Sequence, residues 1–163
     1  ARVRSRQYRG IYIVADGMGG HDGGEIASAT AVDSLRRYFL TRWSDARKGN
    51  FPSLPLEESI RAAFLEANQV IYELNQQQGR SGSGRMGTTA VLALVQNTQV
   101  GIAHVGDSRI YRFTKSQGLQ QMTVDHEVGQ REIQRGVDPE TAYSRIDAYQ
   151  LTQALGPMGE DMI

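Results

Sequence analysis

The sequence predicts an α+β fold in which helices pack outside antiparallel β-sheets. Three observations lead there. Apolar runs at 88–95, 99–105, 110–114 and 119–124 are separated only by tight turns, which suits antiparallel pairing and leaves no room for parallel crossovers. Apolar residues recur at helical spacing through Leu56, Ile60, Ala63, Phe64, Ala67, Ile71 and Leu74. A short apolar run at 11–15 enters a glycine cluster and then a second helical pattern.

Taken in order, Arg2, Arg4, Arg6 and Arg9 make the start basic, and their alternation reads as the solvated side of a strand. Residues 11–15 are β-branched, aromatic or alanine, as expected of a buried strand. From position 25 to about 40 a helix is expected, with Ala27, Ala31, Leu35 and Tyr38 on its inner side. Gly49, Asn50, Pro52 and Pro55 mark a connection at 48–55, and Pro55 suits the opening of the helix that should run to about position 78. Glu57 and Glu58 favour that helix start through its dipole. The loop at 79–84 is glycine- and serine-rich, and Arg80 and Arg85 read as solvated.

The run 88–95 is almost wholly apolar, as a central strand covered on both faces should be. With the three runs after it, it should form one antiparallel meander. His104 is in phase with Val100 and Ile102 and reads as a satisfied core residue. Beyond position 125 the pattern turns helical and polar. Asp125 is expected to cap a helix reaching Arg135, and Asp138-Pro139 to open another.

The totals exclude several functions. At 163 residues the chain is one domain by length, with Lys+Arg and Asp+Glu both 18, so no overall field favours nucleic acid or an anionic membrane. Cysteine is absent, which removes disulfides, thiolate metal sites and a cysteine nucleophile. No apolar run approaches the ~20 residues of a membrane span, and no signal-peptide pattern opens the chain. A cytoplasmic monomer is expected.

Chemistry concentrates in the stretch GIYIVADGMGGHDGGE, where five glycines stand among the eight residues 17–24. They let the backbone turn tightly and aim Asp16 and His21 into one small volume. A Walker loop would need lysine where Glu25 stands, and a dinucleotide fingerprint counted from Gly17 and Gly19 would need glycine at Asp22. Both fail. A carboxylate at a strand end suits a hard cation such as Mg²⁺ or Mn²⁺, although an isolated turn aspartate is an equally ordinary reading. Asp107, in the turn Gly106-Asp107-Ser108-Arg109, is a second carboxylate of the same kind.

Five segments occur together and in one order: YIVADGMGGHDGGEIAS, MGTTAVLALV, AHVGDSRIYRF, QMTVDHE and RGVDPETA with LTQALG. In that order they resemble the bacterial form of the metal-dependent protein phosphatases, the protein phosphatase 2C (PPM) family. ADGMGGH and HVGDSRIY carry most of the specificity. The resemblance implies a layered α-β-β-α sandwich of two antiparallel sheets flanked by helices, incomplete in this chain, with a helical flap at about 125–148. It implies that Asp16 bridges two Mn²⁺ or Mg²⁺ ions, that the Gly17 carbonyl meets one of them, and that Asp107 serves a third, weaker ion. His21 resembles the histidine that protonates the leaving group. The implied activity is metal-assisted hydrolysis of phosphoserine and phosphothreonine in phosphoproteins, by attack of a water that bridges the two ions.

The family's upstream phosphate-gripping arginine and its neighbouring carboxylate are not found, nor are the downstream SDG and DN motifs. Residues 1–163 are therefore expected to be a single partial phosphatase domain within a longer polypeptide, with little turnover by itself. The alternative is a phosphatase fold without catalysis that only docks partners. Asp22, beside His21, is expected to raise its pKa or to hydrogen-bond it.

Overall fold

The computed structural model describes residues 8–19, 22–47 and 55–159. In chain order the elements are β1 (Arg9–Val14), β2 (Gly17–Met18), α1 (Gly23–Arg47), α2 (Leu56–Gln77), β3 (Gly87–Thr88), β4 (Ala90–Gln96), β5 (Gln99–Val105), β6 (Tyr111–Thr114), β7 (Gly118–Gln121), α3 (Val128–Gln134) and α4 (Pro139–Tyr143). Among the described residues they give three antiparallel sheets, ordered β1-β4-β5, β2-β3 and β6-β7.

The expected helical stripes make the core. Ala27, Ala31, Leu35 and Tyr38 of α1 meet Ile60, Ala63, Phe64, Ala67 and Ile71 of α2, and both helices close over Leu92 and Leu94 of the central strand. Small residues at the crossing let the helices approach the sheet and each other closely. Helix α1 extends well beyond position 40 because no glycine or proline interrupts the sequence before Gly49. Its last turns are held by Trp43, whose ring lies 6.3 Å from that of Phe39.

Two asparagines inside α2 fasten the loops beneath it. Asn75 is fully buried; its amide donates to the carbonyls of Met86 (2.8 Å) and Gly156 (3.0 Å), and its oxygen accepts from the Met86 N–H (2.9 Å). Asn68, also fully buried, accepts from the Gly156 N–H (2.6 Å) and donates to the Met158 carbonyl (3.1 Å). Buried amides are tolerated because their polar atoms are paired. Arg85, expected in solvent, instead donates to the Pro157 carbonyl at 2.6 Å, so the loop after α2 is stapled to the same segment.

Alternation along the three-stranded sheet separates its faces. Ile11, Ile13, Leu92, Leu94 and Ala103 point toward the helices. The opposite face carries Tyr12, Val14, Val100 and Ile102, all exposed. His104 belongs to this second face rather than to the core: it is half-buried, opposite Val91, and its Nε2 bonds the Val124 carbonyl at 2.7 Å. Among the described residues only one helical pair flanks this sheet.

Further sequence expectations change. The run 88–95 divides, because the Thr89 N–H turns aside to the Asp16 carbonyl (2.9 Å) while β3 pairs with β2 and β4 pairs with β1. The meander also breaks after β5: Gly106 adopts φ 99°, and β6 and β7 pair with each other as a separate hairpin. Asp138 caps α4 as expected, accepting from the Thr141 N–H at 3.0 Å with Pro139 at the first helical position. Asp125 does not cap α3, which begins after Glu127; the Asp125 side chain is engaged elsewhere.

Candidate metal centre

Asp16 lies just past the end of β1, where the strand's hydrogen-bonding ends and the glycine cluster begins. Its carboxylate is exposed and makes no hydrogen bond or ion pair with any described residue. The cluster's glycines are required by space here. A Cβ on Gly17 would fall 1.8 Å from the Gly24 carbonyl oxygen, and one on Gly24 would fall 2.8 Å from the Gly17 oxygen. Backbone thus packs on backbone at the start of α1, and no side chain fits between. Gly17 is exposed and pairs with Thr88 across the β2–β3 ladder. His21 lies outside the described residues, as do Arg2, Arg4 and Arg6, so the expected pairing of His21 with Asp22 is not visible.

Asp107 sits in the turn after β5, half-buried, and its carboxylate is likewise without a partner among the described residues. Thr89 ties the two turns together. Its Oγ1 accepts from the Asp16 N–H at 3.1 Å and bonds the Ser108 hydroxyl at 2.7 Å. One buried hydroxyl therefore touches both the Asp16 backbone and the residue next to Asp107. The sequence signal for this was GTT at the head of an apolar strand, too common a pattern to single out the second threonine.

The turn is fixed from its other side as well. Arg109 grips Asp125 with a two-pronged set of hydrogen bonds, Nε to both carboxylate oxygens at 2.9 Å and Nη2 to Oδ2. Asp125 is buried and Arg109 half exposed, so the carboxylate is neutralised where solvent cannot do it. Hydrogen bonding to Asp125, and then to Tyr111, raises the Arg109 pKa further. This clamp joins the turn to the base of the 125–148 segment and explains why Asp125 is unavailable as a helix cap.

His126 completes the junction. Its Nδ1 accepts the Gly106 N–H at 3.2 Å, its backbone N–H donates to the Gly106 carbonyl at 3.0 Å, and its ring stacks on His104 with centroids 4.4 Å apart. Accepting at Nδ1 places the proton of the neutral ring on Nε2. Burial, then the charge of His104, lowers the His126 pKa from the ordinary 6.5. Further along, Tyr143 donates to the buried Glu127 at 3.0 Å, and burial followed by that carboxylate pushes the phenol up to about 12. A cavity of about 490 Å³ lies between α2 and β5, walled by Leu56, Ile60 and Phe64 with both histidines at its edge. It contains neither Asp16 nor Asp107.

Two carboxylates without a partner among the described residues agree in kind with a hard divalent cation. No group of three or more His, Cys, Asp or Glu residues that could hold a metal ion converges among the described residues.

The α+β fold brings two carboxylates, unpartnered among the described residues, to adjoining turns. The chain belongs to the protein phosphatase 2C family, whose model matches residues 2–148. It is 37% identical over 155 residues to the serine/threonine phosphatase stp of Listeria welshimeri, covering 92% of this chain and 57% of that protein. Among solved structures it resembles the serine/threonine phosphatase PstP/Ppp of Mycobacterium tuberculosis, with TM-score 0.72 and 26% identity over 97% of this chain and 64% of that one. A second structure, the catalytic domain of PstP in complex with two manganese ions, matches at TM-score 0.67 and 27% identity, over 95% of this chain and 63% of that one. The chain spans under two thirds of each of these proteins. These matches bear out the family and the mixed fold with antiparallel sheets read from the sequence.

Proposed function

We propose that the protein is a metal-dependent serine/threonine phosphatase that hydrolyses phosphoserine and phosphothreonine in phosphoproteins. The observation that carries this reading is the pair of carboxylates, Asp16 and Asp107, without a partner among the described residues on turns joined by one threonine in a protein phosphatase 2C chain. Two carboxylates on adjoining, braced turns suit neighbouring hard cations, which take oxygen ligands held in a fixed geometry.

Asp16 would hold the principal pair of ions, with the Gly17 carbonyl reaching one of them, and Asp107 a third, weaker one. Mn²⁺ or Mg²⁺ bound there supplies an acidified water and neutralises the phosphate charge. His21, five residues after Asp16 in the sequence, would hand a proton to the departing serine or threonine oxygen, a task suited to an imidazole near its ordinary pKa. The Arg109–Asp125 clamp keeps the Asp107 turn and the flap base in one geometry during this. A lack of cysteine suits work in a reducing cytoplasm, and no described helix is long and apolar enough to cross a membrane. We read the enzyme as acting there as a monomer. The phosphatase names of the relatives favour catalysis over a module that merely docks partners.

The test is Mn²⁺-dependent release of phosphate from a phosphoserine or phosphothreonine peptide by the full-length protein, with Asp16→Ala as control. Turnover that vanishes with chelator and falls at least ~100-fold in Asp16→Ala is expected for loss of a principal metal ligand. Undiminished activity in that variant would overturn the assignment.

A further inference from the structure

We propose that Thr89 is a positioning residue whose hydroxyl sets the geometry between the Asp16 and Asp107 turns for cation binding. The inference rests on the reading of those two aspartates as metal ligands. Thr89 is 3% exposed, yet both arms of its side chain are used. The hydroxyl takes the Asp16 N–H at 3.1 Å and meets the Ser108 hydroxyl at 2.7 Å. The methyl fills the space beneath Gly106, where an added Cβ would fall 2.6 Å from Thr89 Cγ2. One arm joins the two turns and the other props one of them.

The backbone does not duplicate that link. The Thr89 N–H to Asp16 carbonyl bond (2.9 Å) holds the strand ends together whatever the side chain, but it leaves the Asp16 N–H and Ser108 without a common partner. Two ligands on separate turns bind one cation cluster well only when their separation is fixed beforehand, because a loose pair must be ordered at the moment of binding. Groups that orient metal ligands without touching the metal typically alter affinity by 10- to 100-fold. The two arms can also be separated by substitution. Thr89→Val retains the methyl and removes the hydroxyl; Thr89→Ser does the reverse.

In the full-length protein, Mn²⁺ affinity measured by titration calorimetry should fall about tenfold or more in Thr89→Val and stay within about twofold of wild type in Thr89→Ser. Thermal stability of the metal-free protein should fall in both variants, through the lost methyl in the serine and through the unpaired Asp16 N–H in the valine. A purely packing role would instead weaken Mn²⁺ binding in step with lost stability in both. Equal Mn²⁺ affinity in Thr89→Val and wild type, or equal weakening by both substitutions, would overturn the proposal. If Thr89→Val does not fold, Ser108→Ala removes the same link from its other end: weakened Mn²⁺ binding supports the proposal, and wild-type binding overturns it. Failure of the unsubstituted protein to bind Mn²⁺ would overturn the phosphatase reading itself, and this inference with it.

Discussion

Replacing Asn75 by leucine tests the idea that α2 is a fastening post for the loops under it. Leucine has nearly the same shape, so the cavity term is small and the change is mainly one of polarity. Three bonds disappear: those to the Met86 carbonyl, the Met86 N–H and the Gly156 carbonyl. Met86 is fully buried and Gly156 is buried, so water cannot take over these groups in the folded state. At about 1 kcal/mol for each bond, and more for each orphaned group, the expected loss is about 3 kcal/mol. That is a large share of the roughly 5–15 kcal/mol that holds a domain together. Urea denaturation of the full-length protein followed by circular dichroism should show a lower midpoint at an unchanged slope. A loss below about 1 kcal/mol would mean that the loops find other partners and that the post is not needed.

Gly17→Ala puts a methyl 1.8 Å from a backbone oxygen, so soluble, cooperatively folding protein should fall sharply, as read by expression and thermal melting. The pH response follows from His126, whose folded pKa lies below its ordinary 6.5. Between those values the unfolded chain binds more protons than the folded one, so stability is lost as pH falls through about 6.5 toward the folded value. His126→Asn should flatten the part of the stability curve below about pH 7; an unchanged slope there would remove His126 as its source. Tyr143→Phe should cost about 1 kcal/mol by leaving Glu127 without its donor. In the wild-type protein, absorbance titration should find one phenol ionising only near pH 12, absent from Tyr143→Phe.

Much of this was legible from residues alone, and the reason differs by element. The stripes of α1 and α2 are periodic over many turns, so their burial could be read directly. Asp138-Pro139 is local cap chemistry and needed nothing distant. Asp125 was misread for the opposite reason: as a cap it is a local residue, but its partner Arg109 lies 16 positions earlier. The break of the meander likewise depends on Gly106 adopting a positive φ, which the turn sequence permits without demanding. Asp16 and Asp107 stood out as carboxylates at strand ends. Thr89 did not, because its importance comes from which two turns it happens to touch.

The sheet β1-β4-β5 has Tyr12, Val14, Val100 and Ile102 bare on the side away from the helices. A slab oily on both sides has no orientation in water that hides both. Preparations limited to these residues should therefore stick to one another as concentration rises, and light scattering would report aggregation long before any enzymatic assay became interpretable. Biochemistry on this protein is best begun with whatever length of polypeptide keeps that surface dry.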